Sequence, residues 1–469
     1  MKKFLKIWET NKITITALVL FVAAFALLNI NSAKPFYGEH DWNGVRYGNI
    51  ARNYLKYGLW ETKFGQLESS GFITNPQFKY FTHYPPTLPL LLALSFSLFG
   101  ISEWSARLIP ILATSTTVVL IFLIGNKIAN FKTGLLSALL ALATPLVLYF
   151  GKTPVHEPLV VCFALVAYFS YLQFKENKKI LFKILFILGL ILAQLTTWTG
   201  FFLIPAMVIV AILKRDTQEV KNLVPYLGLS IAIFLSYIGF VYFLTGAFFG
   251  GDLIGVMLQR SAVSQPGHID NLNLLTYLGR LRLWMSNLYT ITLLILVSVW
   301  ILNKKFHKLT NADWVIITLG IFGSTYLIFF PNATYIHNYL VFYLLPFMAL
   351  AGGMAVTRLA QLKMFKKHSL ILCLVLPLLV VVEKINLLQA LNQSNADKFA
   401  VEVGRDIRLK TQPNDIVLIS PQKFGDAADN FLKFYSDRRI IYSQDVTLVP
   451  TIKVVVDRTN QSFQITNLK

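Results

Sequence analysis

Eleven apolar runs of near membrane-spanning length decide most of what this chain can become. They lie at roughly 13–30, 105–126, 133–150, 157–174, 180–197, 199–213, 223–244, 286–302, 312–330, 337–357 and 369–388. Such a run in lipid satisfies its backbone only by coiling on itself, so each is expected to be a helix. With 55% hydrophobic and 14% charged residues over 469 positions, the chain is a polytopic membrane protein. Its formal charge of +20 does not indicate a nucleic-acid binder, because most of the Lys and Arg clusters fall in short segments between the runs. Cys162 and Cys373 lie inside apolar runs and read as small buried hydrophobes, with neither a disulfide nor a thiolate metal site indicated.

Charge also sets the topology. Lys2, Lys3, Lys6 and Lys12 precede the first run, which is too long for a cleavable signal and is expected as an uncleaved span with its N-terminus in the cytoplasm. The apolar stretch Leu88–Gly100 is short and begins among Pro85, Pro86 and Pro89. If it crossed, the basic segments around Lys175–Lys179, Lys214–Arg215 and Asn303–Lys305 would fall outside; if it is re-entrant or lies on the surface, they all face the cytoplasm. The second arrangement is therefore expected. It puts the polar stretch 34–89, the segment Phe150–Glu157, the turn Thr196–Gly200, the loop Thr245–Met285 and Pro331–His337 on one outer face.

Chemistry is expected on that face. Tyr47, Ile50, Ala51, Tyr54 and Leu55 recur at helical spacing with Arg46, Asn49, Arg52, Asn53 and Lys56 on other faces, a pattern for a short helix on the membrane surface. Leu274, Leu275, Leu278 and Leu281 suggest a second one, in a loop that also holds Asp252, Arg260, His268, Asp270, Arg280 and Arg282. Asp41, just beyond the first span and set in aromatic sequence, reads as a general base or as a solvated loop carboxylate. Glu157 reads as a functional acid or as a favourable charge at a helix start. His83, just before Tyr84 and two prolines, reads as an imidazole held over a site by a rigid turn or as a surface histidine packed on neighbouring aromatics. Lys152, Arg260, Arg280 and Arg282 suit a phosphate at headgroup depth or act as headgroup anchors. His40, His83, His156 and His337 show no metal-ligand spacing; no cofactor is assigned, and a divalent metal stays open. No Walker loop or dinucleotide fingerprint is present, so an activated substrate is expected to arrive in the membrane. After Leu388 the composition turns soluble, with strands expected at Asn414–Ser420, Arg439–Ser443 and Thr451–Asp457 and a helix at Ala427–Tyr435, a small α/β domain without a recognisable catalytic motif.

Several stretches together resemble a known family: His40-Asp41, Tyr47-x-x-Ile-Ala-Arg-Asn53, Tyr57-Gly58, Thr82-His-Tyr-Pro-Pro86, Leu98 through Arg107-Leu108, His156-Glu157, Thr196–Pro205 and His337-Asn-Tyr339. Over about residues 12–390 the chain is similar to membrane glycosyltransferases of the GT-C fold, in the dolichyl-phosphate-mannose protein mannosyltransferase-like group that includes the aminoarabinose transferases. The resemblance implies inverting transfer from a polyprenyl-phosphate sugar to a protein, lipid or glycan acceptor, with Asp41 as base and Glu157 as the second acidic position. His40, His83, Tyr84, Arg107, Lys152, His156, Arg260 and His337 are the substrate-binding candidates, Lys152 and Arg260 facing the leaving phosphate. Where the aminoarabinose transferases carry an acidic residue and a lysine before two prolines, this chain has His83-Tyr84. The expected fold is an all-α polytopic membrane protein of about 11 spans with external interfacial helices and a small C-terminal α/β domain. The expected division is a transmembrane glycosyltransferase domain over 1–390, its first external loop at 33–104, and an external domain over 391–469. An integral protein of a prokaryotic plasma membrane fits this reading, with membrane lipids and no nucleic acid as partners. A transporter or flippase of a lipid-linked saccharide is the alternative, and a noncatalytic assembly protein a third; the runs are nearly free of charge and show no repeated halves, which disfavours transport.

Overall fold

The computed structural model describes residues 2–72, 78–261, 272–393, 398–421, 426–442 and 448–468. His268 and Asp270 lie outside them. The chain opens on α1 (Lys2–Asn29), followed in the first polar stretch by α2 (Trp42–Tyr57), the short antiparallel pair β1 (Gln66–Leu67) and β2 (Tyr80–Phe81), and α3 (Thr87–Phe99). Ser102 then starts α4 (Glu103–Ile128) through a reciprocal capping box with Ser105. The run at 133–150 is divided into α5 (Phe131–Ala143) and α6 (Pro145–Phe150). Pro145 has no N–H to continue the ladder, and Thr144 turns extended and caps the new helix.

Further along come α7 (His156–Asn177), α8 (Ile180–Gln194), α9 (Leu203–Leu213) behind a 3-10 turn at Trp198–Phe202, α10 (Thr217–Thr245), α11 (Leu253–Arg260), α12 (Leu274–Leu288) and α13 (Thr290–Phe306). The membrane part closes with α14 (Asn311–Phe329), the short α15 (Pro331–Ile336), a 3-10 turn at Asn338–Leu344 that runs into α16 (Leu345–Leu359), α17 (Ser369–Val382) and α18 (Ile385–Gln393). All eleven expected runs are helical. Six helices are long and apolar enough to cross a membrane, and two bent pairs, α12 with α13 and α17 with α18, bring that number up to eight; α5, α8 and the Trp198–Leu213 segment are shorter apolar helices.

Contacts sort the connections onto two faces. On one, Asn338 bonds Glu39, Trp198 bonds the His83 carbonyl, His83 meets Asp252, and Leu391 stands with Asp41 and Lys152 around one small cavity. On the other, Lys127 pairs with Glu176, Lys175 with Glu219, and Arg358 with Asn303. With 13 residues, α3 is one of the shorter apolar helices, below the usual length of a membrane span. Exposed Leu94, Leu98 and Phe99 on α3 suit a helix set against lipid.

The C-terminal part comprises α19 (Lys398–Lys410), β3 (Ile416–Ser420), α20 (Asp426–Ser436), β4 (Arg439–Tyr442), β5 (Ile452–Asp457) and β6 (Ser462–Asn467). Its sheet runs β4-β3-β5-β6, with β3 parallel to both β4 and β5 and β6 antiparallel to β5. The three expected strands and the helix between the first two are present; α19 and β6 were not foreseen. The unit packs on α2, and one hydrophobic core joins Phe36, Val45, Tyr47 and Ile50 to Val417, Phe431 and Val454.

The expected helix of the first loop is present as α2, but its polar side is covered by protein. Arg52 pairs with Asp437 at 3.2 Å and Lys56 with the same carboxylate at 2.6 Å, while Asn49 and Asn53 bond backbone carbonyls of Leu67, Glu68 and Ser69. Gly48 permits the close packing on α20, since a Cβ there would lie 2.8 Å from the Phe434 ring.

Candidate active site

Arg260, on the last turn of α11, is the centre of a cluster drawn from four separate parts of the chain. Its Nη1 donates to the hydroxyl of Tyr84 and, at 2.9 Å, to that of Tyr326, while Nη2 lies 3.1 Å from Nε2 of His83. A guanidinium only donates, so Nε2 must accept and the His83 proton must sit on Nδ1, which is 3.1 Å from Asp252 Oδ2. The backbone N–H of Thr82 holds the other Asp252 oxygen at 2.9 Å, and Trp198 donates to the His83 carbonyl at 2.8 Å. Burial, reinforced by Arg260 and only partly opposed by Asp252, pushes the His83 imidazole down to about 3, so the ring is neutral near pH 7. For Asp252, burial works to raise the carboxyl, but the bonds from His83 and Thr82 outweigh it and hold it below its ordinary range.

His156 and Glu157 open α7 beside this group. The Tyr343 hydroxyl donates to Glu157 Oε1 at 2.9 Å, in a setting where Glu157 is only 3% exposed. The His156 ring stands 4.7 Å from Tyr47 and 4.4 Å from Tyr84, and its buried Nε2 has no hydrogen-bond partner among the described residues. A substrate hydroxyl would satisfy that nitrogen.

His40 and His337 occupy an adjoining aromatic layer. Their rings are 5.5 Å apart, and Tyr339 lies 4.9 Å from His40. Asn338 ties the layer to the first loop by donating to Glu39 Oε1 at 2.6 Å. Burial outweighs the Asn338 contact and pushes His40 down to about 4, so it too is neutral.

Asp41 and Lys152 belong to a different group. Asp41 Oδ2 accepts from the Gly38 N–H at 2.9 Å and from Arg107 Nη2 at 3.1 Å. Although Asp41 stands at the N-cap of α2, its side chain caps nothing. Lys152 donates to the Ile30 carbonyl at 2.7 Å; burial first and Arg107 second push it down to about 8, against the pull of Asp41. These residues line a small cavity of about 30 Å³ with Lys34, Tyr37 and Tyr149. Lys152 and Arg260 were expected to face one phosphate, but they fall in separate clusters. Phe150, whose ring is 6.2 Å from His40 and 5.9 Å from Tyr339, connects the Asp41 side to the aromatic layer.

Sequence reasoning left Tyr326, Tyr339 and Tyr343 off the site list and assigned Asp252 no role. Tyr339 falls inside a quoted motif, whereas Tyr326 and Tyr343 sit in apolar runs with nothing in the local pattern to mark them. Among the described residues no group of three or more His, Cys, Asp or Glu is placed to hold a metal ion.

A cavity of about 420 Å³ opens beside the Arg260 cluster. Trp198, Phe201, Phe234, Ile238 and Met257 make its apolar walls, and His83, Arg260 and Tyr326 stand at its polar end.

Comparison with known proteins agrees with this architecture. A family profile described as dolichyl-phosphate-mannose-protein mannosyltransferase matches residues 83–242, about a third of the chain. The crystal structure of ArnT from Cupriavidus metallidurans bound to undecaprenyl phosphate matches with a TM-score of 0.67 at 14% identity, over 94% of this chain and 93% of that one. The fold is that of the GT-C glycosyltransferases. The Archaeoglobus fulgidus oligosaccharyltransferase in complex with Zn and sulfate matches the same GT-C architecture with a TM-score of 0.60 at 14% identity, over 92% of this chain and 62% of that one. The same organism's oligosaccharyltransferase AglB, in complex with an inhibitory peptide and a dolichol-phosphate, gives 0.56 at 13% identity, over 91% of this chain and 64% of that one. The likeness to these solved structures is one of fold, and no curated protein matches the sequence.

Proposed function

We propose that this protein is a glycosyltransferase that moves a sugar, with inversion, from a polyprenyl-phosphate donor to a hydroxyl-bearing acceptor on the outer face of a prokaryotic plasma membrane. One observation carries the reading: an apolar cavity ends on a guanidinium whose hydrogen-bond partners, His83, Tyr84 and Tyr326, are all neutral. Arg260 is partly buried and pairs directly with no carboxylate among the described residues, so the site calls for an anion delivered on an apolar chain. A polyprenyl phosphate has that form. Undecaprenyl phosphate in ArnT and dolichol-phosphate in AglB support the same chemistry.

In this mechanism Arg260 binds the donor phosphate and stabilises the charge that develops on it as the sugar departs. Asp252 fixes the His83 tautomer so that the ring accepts from Arg260 and aims it. Asp41 takes the proton of the attacking hydroxyl, and Arg107 holds that carboxylate in place. Glu157 and His156, between Tyr343 and Tyr47, orient the sugar or acceptor. His40 and His337 form the aromatic wall, and Lys152 sets the charge around Asp41. The division into a catalytic membrane part over 1–390 and an outer unit over 391–469 is part of this proposal.

The test is transfer by the purified protein given a panel of radiolabelled polyprenyl-phosphate sugars and no nucleotide. Transfer is expected from at least one of them, and Arg260→Gln should weaken donor binding by about 10-fold to 100-fold, the usual effect of losing a charged hydrogen bond. Strict dependence on a nucleotide sugar, with every lipid donor inert, would overturn the proposal.

A further inference from the structure

A second cavity, of about 340 Å³, lies in the seam between α2, the α3–α4 turn and the C-terminal unit, and shares no lining residue with the Arg260 cavity. Arg52, Arg405 and Arg408 line it against a single carboxylate, Glu103. Glu103 is already engaged, accepting from Tyr435 at 2.9 Å and from Arg405 Nη2 at 3.1 Å. Arg52 is 4% exposed; its Nη2 donates to the Phe434 carbonyl at 2.7 Å, while its buried Nη1 makes no hydrogen bond among the described residues, although Asp437 pairs with it at 3.2 Å. Arg408 is exposed and has no ion pair among the described residues. Arg52 is thus paired with Asp437 and Arg405 with Glu103, and Arg408 is the cleft cation that meets no carboxylate among the described residues.

Its depth identifies the kind of ligand. Ser102 and Glu103, on the cleft wall, begin a helix that crosses the membrane, so the cleft lies where the lipid headgroups lie. Leu98, Phe99 and Ile101, at the same turn, are exposed as side chains against lipid would be, and Leu409 on the opposite wall is 82% exposed. Guanidinium groups above an apolar rim match a phosphate joined to acyl chains.

We propose that this cleft binds the phosphate ester of an anionic membrane lipid, with Arg405 and Arg408 closing on the headgroup and Arg52 at its floor, and that the bound lipid fastens the C-terminal unit to the bilayer. Phosphatidylglycerol carries the required net charge. In phosphatidylcholine the choline cation offsets the phosphate and would meet the arginines unfavourably.

The full chain in neutral detergent is tested by native mass spectrometry and by thermal unfolding with phosphatidylglycerol, phosphatidylcholine or soluble glycerol phosphate. Phosphatidylglycerol should be retained and raise the unfolding midpoint more than the other two. The double variant Arg405→Ala/Arg408→Ala, altered only at exposed positions, should bind it roughly ten- to thirty-fold more weakly, as expected for two arginines at a membrane surface. Arg260→Gln should retain it, which separates this cleft from the donor site. Equal retention of the two phospholipids, or unchanged binding by the double variant, would overturn the proposal. A shift with glycerol phosphate equal to that with phosphatidylglycerol would overturn the lipid source and assign the cleft to a soluble phosphate ester.

Discussion

Asp41 Oδ2 and Arg107 Nη2 lie 3.1 Å apart, in an ion pair whose side chains are 8% and 6% exposed. The pair joins the first loop to α4, and Arg107 also donates to the Ser32 carbonyl at 2.9 Å and to that of Lys34. Removing one partner of a buried pair strands the other. Asp41 thus has both a structural load and, in the proposed mechanism, a chemical one, and the two must be separated by experiment.

Asp41→Asn keeps the shape and a hydrogen-bonding capacity but removes the proton acceptor. Its turnover should fall by about 100-fold to 10,000-fold, with donor affinity largely kept. Arg107→Gln should lower the unfolding midpoint. Initial rates and donor binding, measured on folded variants beside Glu157→Gln, decide the assignment: near-normal turnover of Asp41→Asn would end the base role, and a larger fall for Glu157→Gln would exchange the two carboxylates.

Lys152 sets a pH limit. Its ammonium, pushed down to about 8 by burial and by Arg107, is charged at pH 7 and loses its proton as the pH rises through that value. The positive charge beside Asp41 is then lost, so transfer should decline above about pH 8. Lys152→Arg, charged throughout, should move the decline upward. His83 and His40, both neutral well below pH 6, should add no acid limb between pH 5 and 7. The pH dependence of kcat/KM for wild type and Lys152→Arg checks this, and an unmoved alkaline limb would dismiss Lys152 as its source.

Sidedness is tested with single cysteines in a background lacking Cys162 and Cys373, which are both buried. Thr459 and Asn177, both exposed, are suitable positions. A cysteine at Thr459 should react with an impermeant thiol reagent applied from outside the cell, and one at Asn177 only after permeabilisation. The reverse pattern would turn the proposed site to the cytoplasm.

Much of this molecule follows from local pattern. Runs such as Thr217–Thr245 are apolar enough that lipid leaves them no alternative to a helix, and the expected side of the basic residues around Lys175–Lys179 rests on charge alone. The strand at Ile452–Asp457 shows itself by its β-branched residues. Strand β6, by contrast, has only the sequence SFQITN, which becomes a strand because β5 presents it with an unpaired edge.

The site is where local pattern stops. Asp41 and Arg260 could be singled out as charged residues in the loops between apolar runs and Glu157 as one at the start of a run, and the family resemblance gathered them into one list. Tertiary packing divided that list. It joined Arg260 to His83 and Tyr326, 177 and 66 residues away in sequence, and left Lys152 with Asp41 and Arg107. It also turned the polar face of α2 from solvent to Asp437 and the 67–69 carbonyls. Helix formation depends on neighbours in sequence and on the solvent, so the chain states it by itself. Which cation meets which anion depends on how helices separated by hundreds of residues cross, and only the folded packing decides it.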